Sequence, residues 1–169
     1  QGYEYLPIHT EADLITNLRK QLESLNGIRF TDAEWKRFFT VHLANANEGI
    51  TEKTRKIQEG DSRINFKRDD GLTKNIALIN KIDIHANTLQ VINQYENNAG
   101  TYKNRYDVTV LVNGLPLVHI ELKRRGVAIR EAFNQINRYQ RDSFWAASGL
   151  FEYVQIFVIS NGTHTKYYS

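Results

Sequence analysis

Asp107 and the triplet Glu121-Leu122-Lys123 are the residues of this 169-residue chain whose types and spacing best suit chemistry. Two carboxylates supply the hard oxygens that hold Mg2+, and an ammonium beside them can orient a water or stabilise charge developing on a phosphate. That set suits metal-assisted phosphodiester hydrolysis. Other chemistries are poorly supplied. Cysteine is absent, which excludes disulfide scaffolds, thiolate zinc sites and cysteine nucleophiles. The five histidines (His9, His42, His85, His119, His164) show neither HExxH nor any paired spacing, so a zinc site is not expected. Neither common glycine-rich phosphate loop occurs, which argues against a nucleotide-dependent metabolic enzyme.

A Glu-x-Lys spelling is cheap, and on a solvated strand it is only a surface ion pair. The chain carries its own decoy, Glu34-Trp35-Lys36 with Asp32 just before it. That copy falls on a helix, where residues two apart point about 200° from each other and cannot converge on one ion. On a strand, residues two apart share a face at about 6.5 Å between Cα atoms. His119, Glu121 and Lys123 then project to one side, and Val118, Ile120 and Leu122 to the other. A helix is expected to cover the apolar side.

The elements around this triplet follow from periodicity. Thr10 caps a helix with its stripe at Leu14, Ile15, Leu18, Leu22 and Leu25, stopped by Asn26-Gly27. A second capping box, Thr31 to Glu34, opens a helix expected to reach about Ala46, and residues 48 to 60 read as a solvated helix or long connection. From Ile64 the period becomes that of strands: a hairpin turning at Asp70-Gly71 and extending to Ile82, a strand from Thr88 to Tyr95, and a pair, Arg105 to Val112 and Leu115 to Lys123, joined at Asn113-Gly114. A helix from about Ala128 to Ala147 and a last pair, Tyr153 to Ser160 and Thr163 to Tyr168, complete the order. The fold class is α/β, a central mixed sheet flanked by helices, in one domain spanning residues 1–169. The strands on either side of the 128–147 helix should run parallel, as in a right-handed crossover.

Register decides whether Asp107 can join Glu121. A strict two-residue turn at Asn113-Gly114 pairs Asp107 with Ile120 and sends it to the wrong face; a three-residue loop or an equivalent bulge pairs it with Glu121. The odd loop or bulge is therefore predicted.

Charge is distributed unevenly. The chain carries only +3, yet the stretch from Lys103 to Arg141 holds eight basic residues against three acidic ones. Such a strip is the footprint of phosphate contacts, or a solvated rim. Arg124 and Arg125 are its foremost phosphate-contact candidates.

Asp107, Glu121-x-Lys123 on a strand and a helix carrying Gln135-x-x-x-Tyr139 together resemble the PD-(D/E)xK nuclease core in its RecB-like form. More closely, Tyr102 to Gly126, Gln135 to Tyr139 and the ending Phe157-Val-Ile-Ser-Asn-Gly162 resemble the N-terminal nuclease domain of the restriction (motor) subunit of type I restriction-modification enzymes. One departure is Tyr106, which stands where the motif has proline before its aspartate, a proline often missing in this superfamily. The resemblance implies a restriction-endonuclease-like core that cuts double-stranded DNA with Mg2+, in a cytoplasmic complex with separate methylase and specificity subunits. By it, Asp107, Glu121 and the main-chain carbonyl of Leu122 are metal ligands, and Lys123 serves the attacking water or the developing charge. Gln135 and Tyr139, one helical turn apart, position Lys123 or a DNA phosphate, with ordinary helix-surface polarity as the competing reading. Glu11 reaches the metal in some similar folds, capping its helix being the alternative, and His119 is a supporting group or a bystander. ATP is expected to bind outside these residues, because they contain no Walker loop. A first residue that is not methionine suggests a segment of a longer polypeptide. The rival function is a DNA-docking or subunit-assembly module that keeps the fold and uses its carboxylates for salt bridges alone.

Overall fold

The computed structural model describes residues 2–97, 104–144 and 146–169. Tyr102 and Lys103, which bound stretches named above, lie outside the described residues. A short strand β1 (Glu4–Tyr5) precedes helix α1 (Glu11–Asn26), which starts where the Thr10 side chain accepts the Asp13 N–H and ends at Gly27 in a left-handed conformation. Its buried stripe is Leu14, Leu18 and Leu22, as the spacing demands.

Helix α2 (Asp32–Phe38) opens with the expected Thr31–Glu34 capping box, but it passes into a widened turn over Phe39–Leu43 instead of continuing to Ala46. The Ala44 N–H reaches back to the Phe39 carbonyl, and both Phe38 and His42 then meet the Phe66 ring. Residues 48–60 resolve into helix α3 (Ile50–Gln58). Strands β2 (Arg63–Lys67) and β3 (Thr73–Ala77) form a separate two-stranded sheet. Ile82 is no part of that hairpin: it is 90% exposed in a loop pinned by the Asn80 side chain, which accepts the N–H groups of Ile82 and Asp83.

The main sheet has six strands: β1, β4 (Leu89–Asn97), β5 (Asn104–Val112), β6 (Leu115–Leu122), β7 (Ile156–Ser160) and β8 (Thr165–Tyr168), in that spatial order. β6 and β7 run parallel, joined through helix α4 (Ile129–Asp142), as the crossover argument requires. α4 stops short of the expected Ala147. Ser143 leaves helical geometry, and its hydroxyl lies 2.7 Å from that of Tyr106. The connection from α4 to β7 closes with a 3-10 turn, Leu150–Tyr153, so β7 starts three residues later than periodicity suggested.

The β5–β6 turn carries the decisive irregularity. Asn113 and Gly114 both have positive φ, 50° and 83°, as a tight two-residue hairpin requires. Val112 faces Leu115 and Leu111 faces Pro116, but Val110 faces Val118, leaving Leu117 as an extra residue. This bulge is the predicted device. Beyond it Thr109 faces His119 and Val108 faces Ile120, where the pairing ends, and the Asp107 carboxylate next along β5 accepts the Leu122 N–H at 2.9 Å. Gly114 is fixed here by more than conformation, since a Cβ would lie 2.6 Å from Leu18 Cα in α1.

The face that α4 covers is the reverse of the one expected. His119 and Glu121 are wholly buried, and the His119 ring meets Tyr139 and Phe144 edge-on. The physical reason is the aromatic cluster on that side, where Tyr106, Tyr139, Phe144 and Phe157 bury far more area than the valines opposite could. Leu122 and Ile156 on the other side stay 48% and 42% exposed. Among the described residues no helix is long and apolar enough to cross a membrane.

Candidate active site

The site is assembled from β5, the end of β6 and the middle of α4. Asp107 Oδ2 accepts the backbone N–H of Leu122 at 2.9 Å, which fixes the β5 carboxylate against the Glu121-Leu122-Lys123 segment. Lys123 lies just past β6, and its N–H still donates to the Ser160 carbonyl of β7 at 2.8 Å. Its ammonium donates to Glu121 Oε1 at 2.9 Å and also to Gln135 Oε1 on α4. Gln135 donates in turn to the Tyr139 hydroxyl, and that hydroxyl donates to the Arg105 carbonyl at 3.1 Å. The chain of contacts thus leaves β6, crosses one turn of α4 and returns to β5 two residues before Asp107. Burial lifts the Tyr139 phenol above its ordinary range, with the Gln135 hydrogen bond acting in the opposite sense, so the O–H is retained as a donor.

Lys123, Arg124 and Gln135 open onto a cleft of about 540 Å³, completed by Leu122, Val127, Glu131, Asn134 and Arg138. Arg124 and Arg125 are exposed in the loop between β6 and α4. That loop is anchored by Asn161, whose side chain donates to the Val127 carbonyl at 2.9 Å while accepting the N–H groups of Thr163 and His164.

The structure therefore brings together Asp107, Glu121, Leu122, Lys123, Gln135 and Tyr139. Glu11 is held elsewhere: its carboxylate accepts both the N–H and the hydroxyl of Ser148, in the connection after α4. Among the described residues no third carboxylate or histidine completes a three-ligand metal cluster. The sequence reading passed over Asn134 as a cleft-lining residue, although Glu131, Asn134, Gln135 and Arg138 recur at helical spacing and would have marked the wall. It also missed Asn161 as an anchor, placing it only in the ending that carries the family resemblance. The Arg105 carbonyl gave no signal, because a main-chain acceptor leaves no trace in residue type.

The donor set suits a hard divalent cation. Glu121 Oε2 is buried with no hydrogen-bond partner among the described residues, and Asp107 keeps a second oxygen beyond the one that binds Leu122.

The model of the family described as Type I restriction enzyme R protein N terminus matches residues 1–169. The chain belongs to that family. Similar proteins include the Type I restriction enzyme EcoprrI endonuclease subunit of Escherichia coli, 53% identical over 170 residues, covering all of this chain and 54% of that one. The SsaAORF53P endonuclease subunit of Staphylococcus saprophyticus is 42% identical over 173 residues, covering 99% of this chain and 18% of its own length. The SauMSSORF170P endonuclease subunit of Staphylococcus aureus is 39% identical over the same span, again 18% of its length. The chain thus spans about half of the first relative and under a fifth of the other two. Membership supports a role in restriction, and the mixed sheet with its flanking helices is consistent with a nuclease-like core.

Proposed function

We propose that this family member is a Mg2+-dependent endonuclease module that hydrolyses phosphodiester bonds of double-stranded DNA within a type I restriction enzyme. The observation that supports it most is the continuous contact chain joining Asp107, Leu122, Lys123, Glu121, Gln135 and Tyr139 across β5, β6 and α4. A surface ion pair needs no such frame. Asp107, Glu121 and the Leu122 carbonyl would hold Mg2+, which when bound supplies an acidified water and neutralises phosphate charge.

The chain's own residues do the remaining work. Gln135 and Glu121 hold Lys123 at the cleft, aimed where negative charge develops on the phosphate. Tyr139 fixes Gln135 and ties α4 to β5, keeping ammonium and carboxylates in one arrangement. Arg124 and Arg138 on the cleft walls, with Arg125 beside them, contact neighbouring phosphates and so position the duplex without reading its bases. The methylase and specificity subunits complete the working complex, ATP binds in parts of the enzyme outside residues 1–169, and the cytoplasm is its compartment.

The test is cleavage of supercoiled plasmid by the full-length protein in its complex. Asp107→Ala, Glu121→Ala and Lys123→Ala should each abolish Mg2+-dependent cutting while leaving folding and DNA binding largely intact. Equal loss of DNA binding in all three would instead favour a docking module.

A further inference from the structure

His119 is wholly buried, and neither ring nitrogen has a hydrogen-bond partner among the described residues. Its ring is boxed edge-on by Tyr106, Tyr139, Phe144 and Phe157, at 5.4, 6.1, 5.8 and 6.5 Å between centroids. A phenylalanine would suit such a box better, since a buried unsatisfied nitrogen is costly. Two other unpartnered polar atoms lie next to it. Glu121 Oε2 is 3.6 Å from His119 Nε2, and Thr109 Oγ1 belongs to the residue directly opposite His119 across β5 and β6. Side chains so paired stand about 4.5–5.5 Å apart at Cβ. Four unsatisfied atoms on three adjacent side chains are better explained as one network than as separate accidents.

We propose that His119 is a positioning residue, holding the inner oxygen of Glu121 so that the carboxylate keeps its orientation when a divalent cation competes with Lys123 for it. With its proton on Nε2 the imidazole points a donor at Oε2, and Nδ1 is left to accept the Thr109 hydroxyl. The opposite tautomer would set the Nε2 lone pair against Oε2, two acceptors facing each other with no proton between them. The inference deepens the nuclease reading and rests on Glu121 being a metal ligand. It is separate from the Lys123–Gln135–Tyr139 chain, which approaches Glu121 through Oε1. Groups that orient metal ligands from behind are worth about 10–100-fold in metal affinity or activity.

The experiment compares wild type, His119→Phe, His119→Gln and Thr109→Val in the full-length protein. It measures Mn2+ affinity by calorimetry without DNA, thermal midpoint without metal, DNA affinity, and single-turnover cleavage. His119→Phe should keep its midpoint and DNA affinity while losing at least about tenfold in Mn2+ affinity and in cleavage rate. His119→Gln, which keeps a donor, should recover most of both, and Thr109→Val should show a smaller loss in the same direction. Unchanged Mn2+ affinity and cleavage in His119→Phe would overturn the inference while leaving the nuclease reading standing. A wild-type protein that neither binds Mn2+ nor cuts would overturn both.

Discussion

Tyr139 donates its phenol hydrogen to the main-chain carbonyl of Arg105 at 3.1 Å, so α4 is tied to β5 two residues before the Asp107 carboxylate. That bond places one end of the Lys123–Gln135–Tyr139 chain on the strand that carries the first acidic residue. The ring itself is nearly fully buried against Tyr106 and Phe144.

Tyr139→Phe should therefore separate geometry from packing. The ring remains, and loss of the hydroxyl should cost about 0.5–1.5 kcal/mol of stability. Cleavage should fall by about tenfold or more, and Gln135→Ala should behave alike. Because both act through one chain to Lys123, the double variant should lose much less than the product of the two single losses. A double-mutant cycle on cleavage rate checks this, and strict additivity would contradict it.

Asp107→Asn isolates charge from structure. An asparagine oxygen can still accept the Leu122 N–H, so the thermal midpoint should change little. The hard anionic ligand is gone, and cleavage should drop below detection. A variant that unfolds would assign Asp107 a mainly structural role.

Lys53 and Glu152 form a buried pair that ties α3 to the turn before β7, with Lys53 Nζ 2.6 Å from Glu152 Oε2 and 2.9 Å from the Gly149 carbonyl. Their side chains are only 2% and 13% exposed. Glu152→Ala strands the ammonium and should cost about 3–5 kcal/mol, whereas Lys53→Met with Glu152→Leu should cost much less. Denaturant titration of the single and double variants decides it.

Glu34 should contribute to acid sensitivity. Hydrogen bonds from Arg68, and then from the Asp69 and Thr31 N–H groups, hold its carboxyl down at about 2 from an ordinary 4.5. A carboxylate held lower in the folded than in the unfolded state contributes stability that is complete above about 4.5 and disappears as pH falls towards about 2. Stability of wild type should therefore decline across that window, and Glu34→Gln should show a shallower decline. Equal slopes would contradict the assignment.

Much of this was legible in the residues themselves. The irregularity between Asp107 and Glu121 could be read because alternation across a strict two-residue turn sends the two carboxylates to opposite faces, and of the two devices that avoid this, an odd loop or a bulge, the structure has the bulge at Leu117. The capped starts of α1 and α2 follow from threonine chemistry at Thr10 and Thr31. What was misread depended on tertiary contacts. The helix-covered face was expected to be Val118, Ile120 and Leu122, but the aromatic box that buries His119 draws on Tyr106, Tyr139, Phe144 and Phe157 from three elements and the segment after α4. No local period reports such a box. The end of α4 was likewise set by Ser143 meeting Tyr106, 37 residues away in sequence. Glu11 illustrates the same limit, its partner Ser148 lying 137 residues downstream.

The most direct measurement is anomalous scattering from a crystal of the protein soaked in Mn2+. One strong peak between the carboxylates of Asp107 and Glu121, absent in Glu121→Ala, is the expected result. Saturating Mn2+ that leaves no peak there, with Lys123 still bound to Glu121, would contradict the account.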